Sequence, residues 1–149
     1  MLSVAHAMVL ELEGFCVVVL TLIVEDDELT AMLFQGFLMG YGRCEFAPNG
    51  RVGFERFRLA LESDSPYDLI CLDIMMPDVS GVELLKLVRA LEEERGVPLE
   101  KRCKIVMTTA VSDKSIIKEA YEAKCDSYLM KPIKRSQLLD TVRELGLIS

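Results

Sequence analysis

The sequence has almost no histidine. His6 is the single one in 149 residues and lies far along the chain from every acidic cluster, which excludes a histidine-based metal site or a catalytic triad. Cysteine is present but unpaired. Cys16, Cys44, Cys71, Cys103 and Cys125 are odd in number and evenly scattered, without the close spacing of zinc sites or redox motifs, so they read as reduced thiols, mostly buried. Basic charge is scarce as well, with 17 Lys and Arg against 24 Asp and Glu. A net charge of -7 excludes nucleic-acid binding through the overall field and leaves room only for a small local basic patch. No apolar run is long enough to span a bilayer, which takes about 20 residues. The longest candidate, Phe15 to Val24, follows Glu11 and Glu13 and has neither a basic leader nor a small-residue cleavage site, so its valines predict a strand. Internal repeats and low-complexity stretches are absent too.

What is present is a well-filled single domain. At this length, 51% hydrophobic content leaves no room for a second core. Residues 1–15 read as an N-terminal extension of unknown role, and residues 16–149 as the domain. From there, short apolar strands alternate with amphipathic helices, the signature of a parallel α/β sheet. After the first strand, Leu29, Met32, Leu33 and Phe37 recur at helical spacing until Gly40-Tyr41-Gly42. A strand over Cys44 to Ala47 follows, then a turn at Asn49-Gly50 and a helix presenting Phe54, Phe57 and Leu61. Pro66 introduces a strand that ends at Asp73, and Leu84, Leu85, Val88 and Leu91 mark the third helix. The charged stretch Glu92 to Arg102 reads as solvated helix end and loop. A fourth strand from Lys104 delivers Thr109-Ala110. A weaker helix covers Asp113 to Glu122, Ser127 to Met130 form the last strand, and a helix with Leu138, Leu139, Val142 and Leu145 closes the chain.

The informative residues are those at the strand exits. Leu69-Ile70-Cys71-Leu72 runs into Asp73, and the valine-rich first strand runs into Glu25-Asp26-Asp27. Open parallel sheets gather reactive groups at the carboxyl ends of their strands. Right-handed crossovers bring the ends of the first, third, fourth and fifth strands to one edge, which then holds Glu25, Asp26, Asp73, Thr109 and Lys131. Taken singly, each has an ordinary explanation: Asp26 or Asp27 as a helix cap, Thr109 as a strand-end hydroxyl, Lys131 as surface charge, Tyr128 as packing. Together, three converging carboxylates call for a cation, because without one they repel. Mg²⁺ suits a hard oxygen site that keeps room for a phosphate oxygen. Asp73 is then placed to attack phosphorus while Lys131 and Thr109 cover the oxygens of the transferred group, giving an aspartyl phosphate.

These residues, in this order, resemble the receiver domain of two-component response regulators over roughly residues 16 to 146. The resemblance places the family's acidic pair on Glu25 and Asp26, its phosphoacceptor on Asp73 and its hydroxyl on Thr109. Its lysine falls on Lys131 before Pro132, its carbonyl metal ligand on Met75, its switch aromatic on Tyr128, and its Met-Pro turn with following glycine on Met76, Pro77 and Gly81. It implies a flavodoxin-like, doubly wound, five-stranded parallel sheet of order 2-1-3-4-5 with helices on both faces. Also implied are Mg²⁺ dependence, with Mn²⁺ a substitute, and phosphorylation by a sensor histidine kinase or histidine phosphotransfer protein. Lys124 departs from the pattern, since many receivers have glycine there, and predicts a strained turn. Met75 and Val111 occupy the two positions that tune self-dephosphorylation in the family. Neither can orient a water, so a long-lived phosphoryl group is expected.

The expected function is that of a cytoplasmic, stand-alone receiver, because the sequence closes at Ser149 just after the last helix. Its signal would leave through a face built from the fourth helix, fifth strand and fifth helix, including Ile116, Ile117, Tyr121, Tyr128 and Lys134. It would control a partner protein or relay phosphate, as a monomer or a phosphorylation-dependent dimer, without direct contact to nucleic acid or membrane. It would not be an enzyme beyond catalysing its own phosphorylation and dephosphorylation. One alternative is a constitutive interaction scaffold with the same fold. Another is a Mg²⁺-dependent aspartyl-phosphate phosphatase, which Met75 argues against, since such enzymes place a second aspartate two residues after the nucleophile.

Overall fold

The computed structural model describes residues 18–110 and 112–149. The expected extension over residues 1–15, together with His6, Cys16 and Val111, lies outside the described residues. Five parallel strands form one sheet: β1 (Thr21–Val24), β2 (Cys44–Ala47), β3 (Leu69–Asp73), β4 (Lys104–Thr109) and β5 (Ser127–Met130), in the order β2-β1-β3-β4-β5. The first strand is shorter than the apolar run that announced it. Its ladder with β2 and β3 begins at Thr21.

Five helices connect and close the sheet: α1 (Glu28–Leu38), α2 (Gly50–Glu62), α3 (Gly81–Glu94), α4 (Lys114–Glu122) and α5 (Arg135–Glu144). Strand residues alternate between the two faces, as the pleat requires. Ile23, Cys71 and Val106 pack with Ala31, Phe34 and Leu38 of α1 and Leu138, Leu139 and Val142 of α5. Leu22, Val24, Ile70, Leu72, Ile105 and Met107 pack on the other face with Phe57 of α2, Leu84, Leu85 and Val88 of α3 and Ala120 of α4. Both faces are therefore covered, which explains why the strands read as continuous apolar runs rather than alternating ones. Among the described residues no helix is long and apolar enough to cross a membrane.

Four helices begin with a side-chain cap just beyond the sheet. Asp27 accepts from Thr30 N, Asn49 from Val52 N, Ser80 from Glu83 N and Asp113 from Ser115 N. The short loops between strand exits and caps hold the candidate residues close to the sheet edge.

Two side-chain placements differ from the sequence expectation. In α1 the buried residues are Ala31, Phe34 and Leu38, whereas Leu29, Met32 and Leu33 are exposed. This helix is apolar nearly all round, so spacing alone did not select its inner face. Glu92, expected as solvated surface, is buried: it accepts from Arg89 Nη1 at 2.7 Å and Cys103 N at 2.8 Å.

Candidate functional site

Glu25 follows β1 and extends its ladder, donating its N–H to Ala47 O at 3.0 Å. Asp73 is the last residue of β3, and Ile74 N donates to Thr108 O at 3.0 Å, tying the strand exit to β4. The loop after Asp73 is closed by Gly81 N donating to Ile74 O at 3.0 Å. Only glycine fits there, since a Cβ at position 81 would stand 2.3 Å from Asp73 O. The same loop is fixed sideways by Asp78, whose carboxylate accepts from Gly50 N at 3.3 Å and Arg51 N at 3.4 Å at the start of α2.

Within this frame Glu25, Asp26 and Asp73 come together. Each offers a carboxylate oxygen within 4.8 Å of the others, with Glu25 and Asp73 buried and Asp26 exposed. Lys131, at the exit of β5, is held by its N–H to Thr109 O at 2.7 Å and sits in a cis peptide with Pro132. Its ammonium lies 2.8 Å from Glu25 Oε2 and 3.5 Å from Asp73 Oδ1. Glu25 Oε1 accepts from Asp27 N, and Asp73 Oδ1 accepts from Met75 N at 3.3 Å. Met75 thus sits directly beside the Asp73 carboxylate through its backbone, with its side chain 57% exposed.

Burial, followed by the neighbouring Glu25 charge, pushes the Asp73 carboxyl up to about 6, against the pull of Lys131 and the Met75 N–H. A carboxylate in that condition gains from any cation delivered to it. All three acids present hard oxygen donors, the chemistry that a small divalent ion such as Mg²⁺ takes.

Thr109 is fully buried at the end of β4, where strand alternation puts it in the row of Met107 rather than that of Thr108, and its hydroxyl hydrogen-bonds Tyr128. Partial burial raises the Tyr128 phenol above its ordinary value, while that hydrogen bond works in the opposite sense. The structure therefore joins Glu25, Asp26, Asp73 and Lys131 directly, and links Thr109 to them through the Lys131 backbone. Sequence reading missed Asp78 as the anchor of the loop. It also missed Thr108, although strand parity places that residue beside Asp73.

A family model described as the response regulator receiver domain matches residues 21–143. The polar-differentiation response regulator DivK of Brucella ovis is 32% identical over 122 residues, covering 82% of this chain and 91% of that protein. The hybrid signal transduction histidine kinase M of Dictyostelium discoideum is 31% identical over 125 residues, covering 83% of this chain but only 5% of the kinase. Among solved structures, a CheY-like response regulator receiver domain protein from Methanospirillum hungatei superposes with a TM-score of 0.69 at 27% identity, covering 86% of this chain and 93% of that one.

Proposed function

The chain belongs to the response regulator receiver family, and from that premise we propose that it is a phosphorylation switch whose acceptor is Asp73. The observation that carries this reading is the convergence of Glu25, Asp26 and Asp73 on one point with the Lys131 ammonium against two of them. Glu25, Asp26, Asp73 and the Met75 carbonyl would hold Mg²⁺, or Mn²⁺ in its place. When bound, the ion supplies positive charge against the phosphoryl oxygens.

The Asp73 carboxylate attacks the phosphorus of a phosphohistidine on a kinase or phosphotransfer protein. An O–P bond forms as the N–P bond breaks, and the imidazole leaves with the electron pair. Lys131, already shared between Glu25 and Asp73, turns to the new phosphoryl charge. The Thr109 hydroxyl, now paired with Tyr128, is the group that couples the acceptor to the switch. If it donates to a phosphoryl oxygen instead, Tyr128 must find a new position. The α4-β5-α5 face then changes shape, which is the two-state form a switch requires. That face contains Tyr121, half exposed, with Ile116, Ile117 and Tyr128 partly buried and Lys134 exposed. The protein then acts in the cytoplasm as an acceptor rather than as an enzyme on other substrates. Its output is control of a partner protein or relay to a second histidine. The Met75 side chain has no group to hold a hydrolytic water, which favours a phosphoryl group lasting minutes or longer.

The test is intact-protein mass after incubation with acetyl phosphate and Mg²⁺, beside Asp73→Ala and a chelator control. One phosphate adduct is expected, metal-dependent, absent in the variant and slow to decay. Amide NMR of the same sample should show shifts reaching α4, β5 and α5. No adduct in folded protein would remove the acceptor reading, and shifts confined to the contacts of Asp73 would remove the switch.

A further inference from the structure

Among the described residues, one fully buried side-chain polar atom lacks a hydrogen-bond partner: the hydroxyl oxygen of Thr108. A buried hydroxyl without a partner is costly, and an isosteric valine would avoid the cost. Its position gives the cost a meaning. Thr108 pairs in register with Asp73 across β3 and β4, and the pairing of Val24 with Leu72 puts Glu25 beside Asp73 one step further along. Ile23, Cys71 and Val106 face α1 and α5, so by alternation Glu25, Asp73 and Thr108 form one row on that same face. Adjacent strands lie about 4.8 Å apart, and one rotamer step exchanges the positions of a threonine's hydroxyl and methyl. The two adjacent threonines thus serve opposite faces: Thr109 meets Tyr128, and Thr108 borders the acceptor.

We propose that Thr108 is a positioning residue for the phosphorylated acceptor: its hydroxyl donates to the carboxyl oxygen of Asp73 that does not carry phosphorus. This rests on the reading of Asp73 as the phosphoacceptor. In the unmodified protein Asp73 Oδ1 is served by the Met75 N–H and faces the Lys131 ammonium. Forming the acyl phosphate moves negative charge from the carboxylate to the phosphoryl oxygens, and the ammonium follows the charge. The carboxyl oxygen left behind would stay with the metal that Glu25 and Asp26 share but loses the Lys131 contact, and a neutral hydroxyl from the same sheet row is suited to fill the contact the ammonium vacates. Thr108 therefore has no partner in one state and gains one in the other, which biases the protein towards the phosphorylated form.

The experiment is a titration with beryllofluoride, a phosphoryl mimic that does not turn over, in saturating Mg²⁺, on the full chain and on Thr108→Val and Thr108→Ser. Half-saturation should weaken about fivefold in Thr108→Val, the worth of one neutral hydrogen bond, and return to within about twofold of the unsubstituted chain in Thr108→Ser. Without the mimic, Thr108→Val should unfold at a higher temperature, since it no longer buries an unmet hydroxyl. NMR of the adduct should show a slowly exchanging Thr108 hydroxyl proton that is missing from the free protein. Equal half-saturation in the unsubstituted chain and Thr108→Val, or a serine variant as weak as the valine, overturns the proposal. If the unsubstituted chain takes neither beryllofluoride nor phosphate from acetyl phosphate, the acceptor reading fails and takes this one with it.

Discussion

Asp73 is both buried and ionisable, and that conflict has a measurable cost. Burial, with the Glu25 charge adding to it, pushes its carboxyl up from the ordinary 3.8 to about 6. The folded protein therefore holds this proton more tightly than the unfolded chain. Below the ordinary value both states are protonated and the group is neutral towards folding. As pH rises from there to about 6 the unfolded chain ionises first and stability falls. Above that window the full cost of the buried charge applies. Asp73→Asn should therefore melt at a higher temperature than the unsubstituted protein at neutral pH in chelator, and the gain should vanish below the ordinary carboxylate range. Thermal denaturation at the two pH values checks this, and equal melting at neutral pH would mean that burial does not dominate. Adding Mg²⁺ should stabilise the unsubstituted protein more than the variant. This residue was legible in the sequence because a charge at the end of a four-residue apolar strand is conspicuous. Thr108 was not legible, since a threonine inside a strand is ordinary until its register partner is known to be Asp73.

Among the elements, the segment leading from α4 into β5 is held more firmly than its sequence announced. The helix ends in a Schellman motif, with Lys124 N donating to Tyr121 O at 3.0 Å and Cys125 N to Ala120 O at 3.1 Å. Lys124 adopts φ 72°, the left-handed conformation foreseen where many receivers have glycine. Arg89 of α3 clamps this turn. It donates to Lys124 O at 3.0 Å, to Asp126 Oδ2 at 2.9 Å and to Cys103 O at 2.8 Å, and it pairs with Glu92 at 2.7 Å. Glu92 is 2% exposed, so removing its partner leaves a buried charge unmatched. Arg89→Met should cost about 3–5 kcal/mol in urea denaturation, and Arg89→Met with Glu92→Leu should recover much of the loss. A double variant as unstable as the single one would place the cost in the lost contacts to the turn instead. The strands and the helices between them could be read in advance because apolar runs and turn residues are local signals, whereas the sheet order came from the family resemblance. The inner face of α1 and the burial of Glu92 could not. The first depends on how an all-apolar helix rolls against the sheet, and the second on an arginine three residues away and an N–H eleven residues on.

At the scale of the whole molecule, the edge that gathers Glu25, Asp26 and Asp73 lies between two different surfaces. On one side α4, β5 and α5 present the face coupled to Thr109 through Tyr128. On the other side α1 exposes Leu29 at 66%, Met32 at 63% and Leu33 at 51%, directly after the acids at 25 to 27. Single exposed apolar residues need no explanation, but three on one short helix beside a charged site form a patch of the kind that protein partners cover. On the proposed reading a protein carrying phosphohistidine would bring its imidazole to Asp73, and this patch would give it an apolar footing next to that residue. Acetyl phosphate is too small to need one. Met32→Asp should therefore slow transfer from a phosphorylated histidine phosphotransfer protein by about tenfold or more, as loss of a central apolar contact does, and leave labelling by acetyl phosphate unchanged. Parallel time courses of adduct mass with the two donors separate the cases. Equal slowing with both would show that the substitution disturbs the acceptor itself. Equal rates with both would place the donor on another face, leaving the exposed side of α1 without a part in phosphotransfer.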